Sequence, residues 1–323
     1  MKNAIITKNI NINVNGKKQN AFAKEISKNK ALFLMLVPGL ILLIIFNYMP
    51  MFGLVLAFKD FNLQKGFFGS DWVGFRNFKF LFATKDAFLI TRNVVIYNLV
   101  FIFLGNMAAV FVAVAINELK NRRMSKVYQS CIFLPYFLSW VVVSYLLYAF
   151  LNIERGFINR IIVNHFNGEA ISWYMEPKYW PFIIVGANLW KYTGYNSVVY
   201  LAAIMGIDKE LYEAAEVDGA SKWCQIRKIT LPLLTTMMSI MILMGLGRIF
   251  RGDFGLFYQL PLDSGALYSV TNVIDTYVYR ALMTMGDIGM SSAAGFYQAI
   301  VGFVLVLSSN AVVRKMDSSK SLF

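Results

Sequence analysis

Histidine occurs once along these 323 residues, at His165, and cysteine twice, at Cys131 and Cys224. A single imidazole excludes a histidine-based metal site, and two cysteines so placed give no disulfide framework. No GxxxxGK[ST] stretch occurs, so the chain lacks the phosphate loop by which many proteins bind ATP. HExxH and GxSxG are missing as well. The two halves carry no obvious repeat of the kind found in many secondary transporters. Charge is scarce: 15% of residues are Asp, Glu, Lys or Arg, against about 25% in a soluble domain. The apolar runs hold few carboxylates, which argues against a proton relay. No catalytic residue and no metal site is expected, and a transport, channel or scaffold subunit remains.

What is abundant is apolar surface, 58% of residues, with 16% aromatic. It is gathered into runs able to cross a hydrocarbon layer of ~30 Å, which takes about 20 residues of helix. Six spans are read, at 31–58, 94–116, 131–151, 180–207, 231–246 and 293–313, the fifth cut short by Arg248 and Arg251. Helices are expected because backbone polar groups in lipid must be satisfied within the segment, and the runs lack the alternation of barrel strands. Pro38, Pro50 and Pro135 fall inside spans, where neighbouring helices can compensate for lost hydrogen bonds. The fold class is thus all-α, a polytopic membrane protein with about six transmembrane helices.

Lys and Arg near span ends set the expected orientation. Lys2, Lys8, Lys17, Lys18, Lys24, Lys28 and Lys30 precede the first span, against Glu25. Lys120, Arg122, Arg123 and Lys126 follow the second, Lys209, Lys222, Arg227 and Lys228 the fourth, and Arg314, Lys315 and Lys320 the sixth. With six spans all four segments share one side, so both termini are expected in the cytoplasm. The net charge of +13 is then a topology signal, and no nucleic-acid partner is implied. Residues 1–30 read as a polar tail rather than a cleaved signal peptide, 31–316 as the transmembrane domain and 317–323 as a second tail.

One charged, alanine-rich segment, 208–232, interrupts the oily sequence. Leu211, Ala214, Ala215 and Asp218 fall on one helical stripe. Gly219 is placed to end that helix with a left-handed residue. A second amphipathic turn runs through Trp223, Ile226 and Ile229 to Pro232. Helix, sharp turn and helix follow. The small side chains of Ala214 and Ala215 and the charges of Glu213 and Glu216 suit docking into a groove of a soluble partner, and a plain interfacial loop is the alternative.

The same segment resembles the EAA loop of permease subunits of binding-protein-dependent ABC importers. That pattern is E-A-A, three residues, G, nine residues, I, one residue, L-P. Here it is Glu213, Ala214, Ala215, then Gly219, Ile229, Leu231 and Pro232, with every spacing kept. "VGFRNFKFLF", "FLPYFLSWVV", "DTYVYRALM" and "FYQAIVGFVLVLSSNAVVRK" are similar to the carbohydrate branch, and to its LplB-type polysaccharide permeases. The resemblance implies a type I importer permease in the bacterial inner membrane, forming half of a path for oligosaccharides. It implies a second permease subunit, two ATPase subunits that bind ATP and Mg, and an extracellular solute-binding protein, with no cofactor in this chain. Glu213, Ala214, Ala215, Asp218 and Gly219 would couple it to the ATPase. A secondary transporter or channel subunit with a structural loop is the alternative.

The solute path is sought in "NLWKYTGYNS", an unusually polar piece of the fourth span. Asn188, Trp190, Tyr192, Tyr195 and Asn196 combine aromatic faces with hydrogen-bonding groups, as sugar binding requires, and Gly194 could loosen the helix there. An interfacial aromatic belt with a snorkelling Lys191 is the other reading. Arg248, Arg251 and Asp253 break the fifth span, and charges at membrane depth usually face a wet cavity or a partner. With Lys191 they could attract an acidic sugar such as a uronide; an outer-loop ion pair or a contact with the solute receptor are the alternatives. Asn47, Asn93, Asn98 and Asn106 read as glue between helices.

Overall fold

The computed structural model describes residues 28–83 and 85–316, which are mostly helical; the expected tails fall, apart from residues 28–30, outside them. Helix α1 (Lys30–Leu43) continues through a π segment, Ile44–Tyr48, into a 3-10 stretch, Met49–Phe58. The chain divides into two compact units, Met1–Leu54 and Val55–Phe323. Pro50 explains the change of winding. Proline has no N–H and crowds the carbonyl four residues back. The wider turn lets Met49 donate instead to the carbonyl of Ile44, five residues back. The same device recurs at Pro232, where the π segment Ile226–Thr230 precedes it and Leu231 donates to Ile226.

The second unit opens on a short antiparallel ribbon, β1 (Lys59–Asp60) with β2 (Asp71–Trp72). Helices α2 (Arg76–Ala83), α3 (Asp86–Asn117), α4 (Arg122–Phe133), α5 (Trp140–Leu151) and α6 (Phe157–Phe166) follow. Then come α7 (Trp180–Met205), α8 (Lys209–Val217), α9 (Lys222–Leu246), α10 (Ile274–Met283) and α11 (Ile288–Met316). Helices α3 and α7 form the spine. Gly105, Ala109 and Ala113 recur every fourth residue of α3, and all are buried. Leu189 of α7 lies over Gly105, and Tyr200 and Ile204 of α7 join Leu234 of α9 around the two alanines. Small residues let apolar helices approach closely, where packing replaces a hydrophobic driving force. A larger cluster holds Ile90, Val94, Trp180, Ile184, Leu256, Leu260, Val273 and Ile274.

Among the described residues, four helices are long and apolar enough to cross a membrane: Lys30–Phe58, Asp86–Asn117, Lys222–Leu246 and Ile288–Ser308. Of the six expected spans, two differ from a straight, uniformly apolar helix. The third span is not straight, because Arg122–Phe137 and Trp140–Leu151 meet at 97° and qualify only as one bent span, a fifth. Leu138 and Ser139 are extended at the bend, and Ser139 caps α5, its Oγ accepting the Val142 N–H at 3.3 Å. Helix α7, the expected fourth span, is long enough at 26 residues, but its polar centre leaves it short of the others in apolarity. The fifth span is longer than expected, since the second arm of segment 208–232 runs into it as one helix from Lys222.

Gly194 does not loosen its helix. It is buried where α4 comes closest to α7, and a Cβ there would run into the carbonyl of Ile132. Gly194→Ala should therefore lower the melting temperature of the purified protein. Gly186→Ala on the same helix, where a Cβ meets nothing within 4 Å, should leave it unchanged or raise it slightly. Equal effects of the two would contradict this packing.

Candidate functional site

Segment 208–232 folds as the helix–turn–helix its spacing predicts. Asp208 caps α8, its Oδ1 accepting the Glu210 N–H at 3.0 Å. The helix closes on Gly219 at φ +78°, with Ala220 N–H donating to the Ala215 carbonyl at 2.8 Å and Gly219 N–H to that of Glu216 at 3.0 Å. This left-handed cap suits glycine because an added Cβ is strained there. Ser221 then caps α9 through the Cys224 N–H, at 3.4 Å. The hydroxyls of Tyr212 and Thr230 lie 2.9 Å apart and tie the two arms together.

The outer surface of this element is bare within the chain. Leu211, Glu213, Ala214, Glu216, Val217, Asp218 and Gly219 are exposed and Ala215 is half-buried. Val217 is 89% exposed and Trp223 70%. Trp223, read as part of the apolar stripe of the second arm, is thus on its outside, while Gln225 and Thr230 are buried.

In the transmembrane region the polar side chains divide into two sets. One set holds broken backbone. Lys191 is buried, 6% exposed, and its ammonium donates to the carbonyls of Pro135 at 3.4 Å, Tyr136 at 3.1 Å and Leu138, at the bend between α4 and α5. This corrects both expectations for Lys191, since it neither snorkels nor opens onto a path. Asp253 is likewise engaged: Oδ2 accepts from Trp140 Nε1 at 2.9 Å and from the Tyr192 hydroxyl at 2.8 Å, and Oδ1 from the Leu256 N–H at 3.2 Å. Beyond α9, Asn98 donates to the carbonyls of Ile249 and Arg251, at 3.0 and 3.1 Å. Gln298 donates to that of Phe250 at 3.1 Å, and Asp275 accepts the Gly252 N–H at 2.6 Å. Asn93 and Asn106 also bond across elements, to the Asn272 carbonyl and the Tyr200 hydroxyl.

The other set holds no broken backbone. Arg248 and Arg251 are exposed, and among the described residues neither forms an ion pair, with Asp253 or otherwise. Both line a cleft of about 500 Å³ with Phe250, Asp275, Gln298 and Phe303. Tyr195, 43% exposed, stacks on Tyr136 at 4.3 Å between ring centres, beside Phe133. It lines a second cleft of about 460 Å³ with Gln129, Ser130, Phe133, Val198 and Val199. Trp190 is exposed and Asn188 and Asn196 are half-buried. The expected path residues thus fall into separate places. Sequence reading missed Gln129, Ser130, Tyr136, Asp275 and Gln298, of which only Tyr136, next to a proline in an aromatic run, carried a signal.

Residues 102–318 match the family model of the binding-protein-dependent transport system inner membrane component. Protein LplB of Bacillus subtilis is 32% identical over 90% of this chain and 91% of its own length. The chain belongs to this transport family. The polygalacturonan/rhamnogalacturonan transport system permease protein YteP, also of Bacillus subtilis, is 33% identical over 90% of both chains. The fold matches a chain of a bacterial ABC transporter involved in import of the acidic polysaccharide alginate, with a TM-score of 0.82 and 31% identity over 92% of this chain and 99% of that one. A second structure of the alginate transporter, in complex with an alginate pentasaccharide-bound periplasmic protein, matches with a TM-score of 0.80, 31% identity and coverage of 91% and 97%. This permease is therefore a multi-pass membrane component of an importer, and the secondary-transporter and channel readings fall away.

Proposed function

We propose that this permease forms half of an ATP-driven path for acidic oligosaccharides, powered by a separate ATPase seated on α8. A second permease subunit, two ATPase subunits holding ATP and Mg, and an extracellular solute-binding protein complete the importer, with both termini of this chain in the cytoplasm. The observation that carries the reading is the bare, doubly capped α8 in its EAA spacing. Glu210, Glu213, Glu216 and Asp218 are all exposed on or beside it, so the receiving cleft should offer basic or backbone N–H groups. Ala214 and Ala215 let the helix sit close to the wall of that cleft. ATP-driven closure then selects between inward- and outward-facing states, as any ligand does that binds one state better.

The acidic nature of the solute rests on Arg248 and Arg251, which bring two guanidinium groups to a cleft beside Phe250, Phe303 and the one carboxylate of Asp275. Guanidinium pairs well with carboxylate, and a ring with apolar faces suits the aromatic walls. Trp190, Tyr195, Asn188 and Asn196 are the remaining candidates along the path. The named solutes of the relatives, polygalacturonan and alginate, support this class.

Gly219→Asp should abolish co-purification of the ATPase and transport while membrane insertion is retained, because it strains the left-handed turn that closes α8 and adds a carboxylate to the docking face; unchanged co-purification would refute the coupling role. Arg248→Gln with Arg251→Gln should lower uptake of uronic oligosaccharides at least about tenfold, equivalent to ~1.4 kcal/mol, and spare neutral ones. Uptake of both classes reduced alike would refute the acidic-solute reading.

A further inference from the structure

Lys191 stands over the face of one indole and Asp253 at its N–H edge. The Lys191 ammonium lies 5.2 Å from the Trp140 ring centre, and Trp140 Nε1 donates to Asp253 at 2.9 Å. The electron-rich face of the indole therefore meets the cation and its N–H meets the anion. Trp140 is the first residue of α5 after the bend, and the carbonyls that Lys191 caps are the last before it. Tyr192, next to Lys191, closes the loop by bonding the same carboxylate. Beneath the indole, a Cβ on Gly255 would strike the ring. Four segments thus converge: the end of α4, the start of α5, the middle of α7 and the turn after α9.

We infer that Lys191, Trp140 and Asp253 form one charge-balanced clamp on the broken third span, and that Lys191 is a positioning residue of the transport cycle and not a solute contact. Carbonyls can satisfy the donors of an ammonium but carry no net charge, so a cation at this depth needs an anion to balance it. Asp253 supplies it through the indole. The clamp sets the bend, and the bend carries Tyr136 to its stack on Tyr195, which lines the smaller cleft. Losing either charge leaves the other unbalanced, whereas losing both restores neutrality.

The test is a double-mutant cycle in the complete importer reconstituted in lipid vesicles, with K191Q, D253N and the pair. Glutamine keeps donors for the carbonyls while removing the charge. Each single variant should lower turnover at least about tenfold with an unchanged half-saturating solute concentration. The double variant should recover most of the loss. A double variant as poor as the product of the two singles would overturn the clamp, as would a K191Q variant altered only in half-saturation. Melting temperatures of the purified assembly should follow the same pattern without solute or ATP, so an error in the solute class would leave this result standing. If K191Q does not assemble, Trp140→Phe keeps the ring and removes the N–H. D253N should then cost more turnover than Trp140→Phe, because it leaves Lys191 unbalanced while Trp140→Phe keeps both charges, and an equal or smaller cost of D253N would overturn the inference.

Discussion

A backbone amide or carbonyl inside hydrocarbon must find its partner within the protein, and this chain breaks its helices at two places where that is hardest. At the bend after Phe137 three carbonyls are taken by one ammonium, that of Lys191. In the turn after α9 the backbone of residues 249–252 is taken by Asn98, Gln298 and Asp275. Irregular backbone of this kind persists at membrane depth only when buried in protein or lining a wet cavity. Three of the side chains that look like a solute path in the sequence, Lys191, Tyr192 and Asp253, are therefore occupied as scaffolding. What remains uncommitted, Arg248, Arg251, Tyr195, Trp190, Asn188 and Asn196, is the short set from which solute contacts can be drawn.

The same accounting explains how a push at one end could reach the other. Helix α8 is fastened by its caps and by Tyr212 to Thr230, and α9 runs unbroken from Lys222 to Leu246. The turn that follows carries Arg248 and Arg251 and leads to Asp253. In the proposed assembly, a displacement of α8 would travel along one rigid helix to the cleft that holds the two guanidinium groups. The π segment before Pro232 keeps that helix continuous where a proline would otherwise break it.

The all-helical class and the helix–turn–helix of segment 208–232 could be read from the residues alone, because apolar run length and residue spacing are local signals. Gly219 did adopt the left-handed turn its position implied. The span pattern was less legible. Hydropathy sees composition, not direction, so "FLPYFLSW" passed as a straight span when it holds a right-angled bend. The roles of Lys191 and Asp253 were misread for a related reason. A charge in an apolar run announces that it is unusual but not whether its partner is a solute or a distant carbonyl, and Lys191 finds its partners more than fifty residues away. Gly194 was misread likewise, since the carbonyl it makes room for belongs to another helix.

The account turns on α8 being held by a nucleotide-hydrolysing partner. Val217, 89% exposed beside the left-handed turn, is the vantage point. A photo-crosslinking side chain placed there in the intact importer should capture the ATPase subunit, in a yield that changes when ATP is bound. Capture of no ATPase, with position 217 remaining open to water-soluble thiol reagents as a cysteine in the assembled complex, would contradict it.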